Sequence, residues 1–473
     1  MLQKIKELFT KNYQKLQSSQ SYRQIVLVSS LLILSKIFGF VRQALLGGSY
    51  LGSDVIYSDI FFNAQKIQDT LIAILIMGTI ISTVTPTSAI IVAKHGEEGL
   101  KKYLKLNFWI FLVVYLTISI ITAIFIDDIL KNLMTNAYND YSDRGLLSTF
   151  VDSARILTFG VVLFAINSLL QSYLNLKNSF FWNNITGSVI NIIIIVGLLV
   201  SPANFVLPIS IALLAGFCFS TLIHVYASSQ LGFKLSDLSL KNFIEDFRTY
   251  KEYLKSDIKQ IIPKFFLIPL ATIASILVSQ QGSLGYPTFY ETAGLIQGIF
   301  LTIIGAVGAV ILPKLSKMIA SSSNQVFVFE INKYVKKLIP LTILAVLLTI
   351  IFAKYVLLAI LNASYFVRGR FEFVSYGIRE ELTVNLVQIL SISLIFLAIN
   401  EILVKYFLVK NQILRLLLVN TFCIIALWFV SHLLNQNFRF NSVVAISWAL
   451  VVSLGLQSLL YYLLIVIDNK KLK

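Results

Sequence analysis

NFVLPISIALLAGFCFSTLIHVYASS, residues 204–229, runs for 26 residues without one Asp, Glu, Lys or Arg. A helix rises about 1.5 Å per residue, so this stretch is long enough to cross a hydrocarbon core about 30 Å thick. Its only polar groups are small hydroxyls, one amide and His224. No charged face exists that could turn toward water, as a surface helix of a soluble protein requires. The stretch reads as a transmembrane helix, and the whole chain has the same character. Its 473 residues are 57% hydrophobic and 13% charged, with a mean hydropathy of +0.81, against roughly 25% charged in a soluble domain. There is too little polar surface to coat soluble domains. β-Barrel strands are not expected, because the apolar runs are about 20 residues long rather than alternating runs of about 10.

Eleven further runs of this kind lie at 24–46, 60–92, 104–126, 151–174, 181–200, 258–281, 290–313, 338–361, 384–409, 412–431 and 442–467, making twelve spans. The second is long enough to be one tilted helix, or one bent near Pro86. The first holds Lys36 and Arg42 and lacks a small-residue cleavage site, which marks a retained helix rather than a signal peptide. With the N-terminus cytoplasmic, 26 of the 39 Lys and Arg fall on the inner side and six on the outer; the other seven lie within spans. This asymmetry places both termini in the cytoplasm. It also accounts for the net charge of +16 through topology and contact with anionic lipids, without a nucleic-acid partner.

The expected organisation is a cytoplasmic amphipathic segment (1–23), an N-lobe of six spans (24–229), a cytoplasmic linker (230–257), a C-lobe of six spans (258–467) and a short cytoplasmic tail (468–473). Spans two and eight superimpose without a gap: Phe62 falls on Phe289, Gly78 on Gly305 and Pro86 on Pro313. A six-plus-six repeat of like orientation suits a transporter that rocks two lobes about a central site. Gly294 and Gly298 form a small-xxx-small pair that would let span eight pack closely, with Gly39, Pro86 and Pro313 as further packing or hinge positions. Cys218 and Cys423 both sit in apolar runs, and three scattered histidines hold no metal. No phosphate-binding loop or dinucleotide motif is present, so neither cofactor nor nucleotide motor is expected. The loops are short for an enzyme's carboxylate or histidine cluster. The charged loop 362–383 reads as solvated.

An ionisable residue inside a span is a functional candidate by default. Asp59, Asn63, Lys66 and Thr70 recur at i, i+4, i+7 and i+11 and form one polar stripe. A local pair between Lys66 and Asp69 competes with a role for Lys66 in the site. Lys36 and Arg42 lie about 9 Å apart along the helix axis. Arg155 with Asp152 reads as a structural pair. Lys264 and Lys405 are expected to snorkel toward headgroups, and Glu291 to lie at the outer surface. The cations Lys36, Arg42 and Lys66 then form an N-lobe patch suited to a phosphate or diphosphate.

Residues 35–62 (SKIFGFVRQALLGGSYLGSDVIYSDIFF) and 305–317 (GAVGAVILPKLSK) resemble corresponding segments of the MurJ (MviN) lipid II flippase family, and weaker similarity extends over almost the whole chain. The resemblance implies an all-α polytopic fold of the multidrug/oligosaccharidyl-lipid/polysaccharide (MOP) exporter type, with two lobes forming a V around a central cavity. It implies a plasma-membrane transporter rather than an enzyme, working by alternating access on a lipid-linked peptidoglycan precursor, and a monomer. It assigns substrate contact to Lys36, Arg42, Lys66 and Asp59, with Asn63 beside them on the stripe. Two arginines expected in the second helix are replaced by Ile72 and Ala73, a glutamate by Met77, and an Asp-Arg pair by Ala293 and Gly294. The family usually has fourteen helices; twelve are read here. These departures keep open a flippase for another lipid-linked glycan, a cation-coupled drug exporter of the same fold, or a scaffold without transport.

Overall fold

The computed structural model describes residues 20–47, 56–75, 80–201, 206–265, 269–281, 285–298, 300, 324–367, 378–410, 412–438 and 440–470. The expected amphipathic start (residues 1–17), Gly78, Gly305, Pro313 and residues 368–377 of the 362–383 loop lie outside them.

Among the described residues the structure is helical throughout. The N-terminal half comprises α1 (Gln20–Gly47), α2 (Ile56–Leu75), α3 (Ile80–Ile124), the short α4 (Ile126–Leu133) and α5 (Thr135–Asp143), α6 (Leu147–Thr158), α7 (Gly160–Leu176), α8 (Phe180–Val200) and α9 (Val206–Gln230). After a 3-10 turn at Leu235–Leu238 come α10 (Phe243–Phe265), α11 (Leu270–Gln280), α12 (residues 286–298), α13 (Asn324–Val367), α14 (Ile378–Val409), α15 (Ile413–Gln436) and α16 (Ser442–Lys470). Eight of these segments are long and apolar enough to cross a membrane by length and composition. The remaining four expected spans correspond to α1, α2 with the start of α3, α11 and α12.

The described part of the second expected span comprises α2 and the beginning of α3, and Pro86 sits exposed within α3. The chain reverses at Gly96, whose φ of 67° and ψ of −168° interrupt the helix. That conformation is open to glycine at little cost, so the turn between the second and third spans falls there. The fourth span is broken at Phe159 into α6 and α7.

Among the described residues, one core holds residues from 270 to 465 together with Ala44, with Phe40 packed against it; two others lie within residues 45–254. Apolar helices in lipid gain little by burying more apolar surface, so small residues and buried polar bonds select their neighbours. α8 and α9 approach closely through Gly197 and Gly216: an added Cβ would stand 2.5 Å from the Ala212 Cβ and 3.2 Å from the Ile190 Cα. In the C-terminal half, Asn400 donates to Gln457 (2.9 Å) and Gln457 to Asn420 (3.1 Å), joining α14, α16 and α15. α10 runs unbroken from the expected linker to Phe265, inside the expected seventh span.

Candidate functional site

Three helices bring charge to the seam between the lobes: α1 and α2 from the N-lobe, α12 from the C-lobe. α12 lies in the repeat position of α2. The two meet at the end of the bundle away from the linker, where Asp59 supplies the main contact. Its carboxylate is 1% exposed and accepts from the Gly285 and Thr288 amides and from the Thr288 hydroxyl, the last at 2.6 Å. These amides belong to the first turn of α12 and its approach, where backbone N–H groups have no helical acceptor. Asp59 therefore caps a helix of the opposite lobe. One turn further in, Gln43 of α1 donates to the Thr292 hydroxyl (3.2 Å), and Asn136 of α5 donates to the Gln280 carbonyl (2.8 Å).

Deeper along the same seam, Lys66 forms an ion pair with Glu291 across the two lobes. Its expected local partner Asp69 instead accepts from Gln65 at 3.2 Å. Glu291, expected at the outer surface, instead has a side chain 30% exposed, beside a Lys66 side chain that is 11% exposed, and it also accepts from Ser275 (3.2 Å). Desolvating a charged pair is costly, and a second hydrogen bond on the carboxylate offsets part of that cost. Asp69 and Glu291 both act electrostatically on Arg42, and Arg42 acts on Lys36. The expected cationic patch is thus a mixed cluster of Lys36, Arg42 and Lys66 with Asp69 and Glu291, one positive charge in excess. Among the described residues the Arg42 Nε is buried with no hydrogen-bond partner; a buried guanidinium nitrogen without an acceptor is costly and suits a site completed by an anion.

The predicted stripe on α2 therefore divides between two neighbours. Asp59 and Lys66 both meet α12, the latter at Glu291, and Asn63 turns into the N-lobe and donates to the Tyr141 hydroxyl (2.8 Å). Gly39 is buried where α1 passes α8 and α12: its added Cβ would lie 3.5 Å from the Asn191 Nδ2 and 3.9 Å from Leu295. Gly294 and Gly298 do not form a tight helix contact. A Cβ on Gly294 meets nothing within 4 Å, and one on Gly298 meets only the Lys36 Nζ at 3.4 Å. Both glycines face the space into which Lys36 reaches. Arg155 and Asp152 pair at 2.9 Å as expected. Lys405 pairs with Glu401 (2.8 Å) rather than extending alone to headgroups. Ile72 and Ala73, where the family resemblance expects arginines, are 5% and 7% exposed and sit in apolar surroundings. Sequence reasoning missed the role of Glu291. The repeat carried the signal, since laying span eight on span two brings residue 291 to the level of Ala64, next to Lys66.

A helical membrane protein with a charged seam between its two halves has the fold of the two-lobed membrane exporters. Solved structures with this fold include a lipid II flippase MurJ in an inward closed conformation (TM-score 0.71, 18% identity, 92% of this chain and 86% of that one). Another is a multidrug resistance MATE family transporter of the MOP superfamily in an inward-facing conformation (TM-score 0.72, 13% identity, 95% and 98%). The family model described as lipid II flippase MurJ matches residues 48–471, and the chain belongs to that family. A probable lipid II flippase MurJ of Buchnera aphidicola subsp. Schizaphis graminum (strain Sg) is 25% identical over 174 residues, 37% of this chain. In that match the chain spans about a third of the relative's length.

Proposed function

We propose that this protein moves lipid II, an undecaprenyl-diphosphate-linked peptidoglycan precursor, from the inner to the outer leaflet of a bacterial plasma membrane. The linker end of the bundle faces the cytoplasm, as do both termini, and the working unit is a monomer in contact with anionic lipids. The single observation that carries the site is the buried Arg42 Nε without an acceptor, set beside Lys36 and Lys66 at the lobe seam.

In this reading the lobes are held together at the outer end by Asp59 on α12 and by Lys66 on Glu291, and the substrate enters from the cytoplasmic side. Its diphosphate binds Arg42 and Lys36. Arg42 offers a planar fork that can engage two phosphate oxygens, and Lys36 a point charge. A phosphate oxygen that reaches Lys66 competes with the Glu291 carboxylate. Binding then weakens an inter-lobe contact and favours the alternate state, because a ligand shifts a two-state equilibrium only through its differential affinity. Gly294 and Gly298 leave room opposite Lys36 for the headgroup. Asn63 orders α2 through Tyr141, and Asp59 sets the closed position.

Complementation of a strain depleted of its own lipid II flippase tests this reading. The wild-type chain should restore growth, and Arg42→Ala should fail while reaching the membrane in normal amount. Growth supported by Arg42→Ala, with unchanged binding of the lipid-linked precursor, would overturn it. A second reading, a flippase for a different lipid-linked glycan, draws support from the apolar, buried Ile72 and Ala73. It would be favoured if the chain bound other undecaprenyl-diphosphate glycans and failed to rescue.

A further inference from the structure

α10 has three chemically distinct faces, and only two of them have an evident partner. The first docks on α3. Asp246 pairs with Lys105, Asp257 accepts from Thr87 (2.6 Å) and Tyr103, and Tyr250 and Leu254 are buried between them. At about 100° per residue these four positions fall within an arc of about 80°. On the far side of the helix lie Glu245, Thr249, Glu252, Ser256 and Gln260, a uniformly polar face that suits water. The third face holds Ile244, Phe247, Lys251, Lys255 and Ile258 within another arc of about 80°, flanked by Arg248 and Lys259.

That face is apolar and basic together. Ile244 is 69% exposed, Phe247 43% and Ile258 51%, and the chain entering the helix adds Leu235 and Leu240 at 64% and 58%. The charges are sorted by face. Lys251 and Lys255 lie among the exposed apolar residues and Arg248 and Lys259 border them, while Glu245 and Glu252 lie on the polar side. An unpartnered solvated helix has no reason to sort its charges this way. A helix lying in a headgroup plane does, because apolar side chains enter the acyl boundary and lysines meet lipid phosphates. α10 also leads through Phe265 toward the apolar α11, so its C-terminal end adjoins the membrane.

We propose that the Ile244–Phe247–Lys251–Lys255–Ile258 face is an anionic-phospholipid binding surface, which holds the linker in the headgroup plane while its Asp246–Asp257 face stays fixed to the N-lobe. This rests on the reading of the chain as a membrane transporter and names a lipid site within it. The N-lobe and the first turns of α10 then move as one body, anchored to the leaflet.

The test uses the full-length protein with Cys218→Ser, one copy per nanodisc, carrying an environment-sensitive label at Ile244→Cys or, as control, Thr249→Cys. Discs contain phosphatidylethanolamine alone or with phosphatidylglycerol, plus a lipid spin-labelled near its headgroup. The label at 244 should be quenched by the spin-labelled lipid and protected from aqueous iodide, and the label at 249 the reverse. Phosphatidylglycerol should strengthen the contrast. Lys251→Gln with Lys255→Gln should weaken the phosphatidylglycerol-dependent residence about 30-fold, roughly fivefold per charge. Equal iodide access at 244 and 249 would overturn the proposal. So would protection at 244 that ignores phosphatidylglycerol and both lysines, which would assign the face to a protein partner or to plain burial. Both membrane faces are open in a nanodisc, so the outcome is independent of orientation and of lipid II transport.

Discussion

Lys66 is held by a carboxylate from the opposite lobe, and that pairing changes what substitutions at the cleft should do. Removing the Glu291 charge leaves Lys66 without its partner and raises the excess positive charge facing a ligand. Glu291→Gln should therefore bind undecaprenyl diphosphate more tightly than wild type in detergent. Lys66→Ala should bind it more weakly, by roughly 10- to 100-fold, since charged hydrogen bonds contribute about 1.5–3 kcal/mol each. Equal affinities across the three proteins would remove Lys66 from the site. At Arg42 the geometry of the charge matters as well as its sign. Arg42→Lys should restore part of the growth that Arg42→Ala loses, because an ammonium cannot bind bidentately. Lys36→Arg should be tolerated, as the family's usual residue at that place.

The helices differ in how closely they pack, and their glycines report it. The α8–α9 contact has no room for a side chain at Gly216, where the nearest atom to an added Cβ is backbone. Gly216→Leu should lower the melting temperature and folded yield, through overpacking of about 1–3 kcal/mol. Gly294 has free space in front of it, so Gly294→Ala should melt as wild type does. Gly298→Leu would meet the movable tip of Lys36, and its loss should appear in transport before stability. If Gly216→Leu keeps wild-type melting while Gly294→Ala does not, the assignment of close and open faces is reversed.

At the scale of the molecule, closure at the outer end depends on few groups. Asp59→Ala removes the acceptor for three donors of α12 and its approach. Lost helix capping costs about 1 kcal/mol, up to about 2, which shifts a two-state population by about 5- to 30-fold. A Gly294→Cys reporter in a Cys218→Ser background should then react with an impermeant maleimide from outside several-fold faster than with Asp59 intact. An unchanged rate would show that Asp59 does not hold the closed state. Topology has its own test: a cysteine at Lys241 should be labelled from the cytoplasmic side alone, and labelling from outside would defeat the twelve-span arrangement.

The amino-acid order by itself determined the membrane class and all-helical fold, gave the expectation of twelve spans in two lobes, and placed the cations on α1 and α2. These follow from local quantities: run length against bilayer thickness, loop charge, and the offset between spans two and eight. Family membership was legible too, in residues 35–62 and 305–317. The partners of the charges were not. Helical periodicity placed Asp59, Asn63 and Lys66 on one stripe, but a stripe about one-third of a helix wide can touch more than one neighbour. Only the tertiary packing divided it between α12, which takes Asp59 and Lys66, and Tyr141 of α5, which takes Asn63. The same holds for Gly294 and Gly298, whose spacing fits a tight crossing as well as an open cleft. What decides between them is the distance to the next helix, a property of how the lobes meet rather than of any one segment.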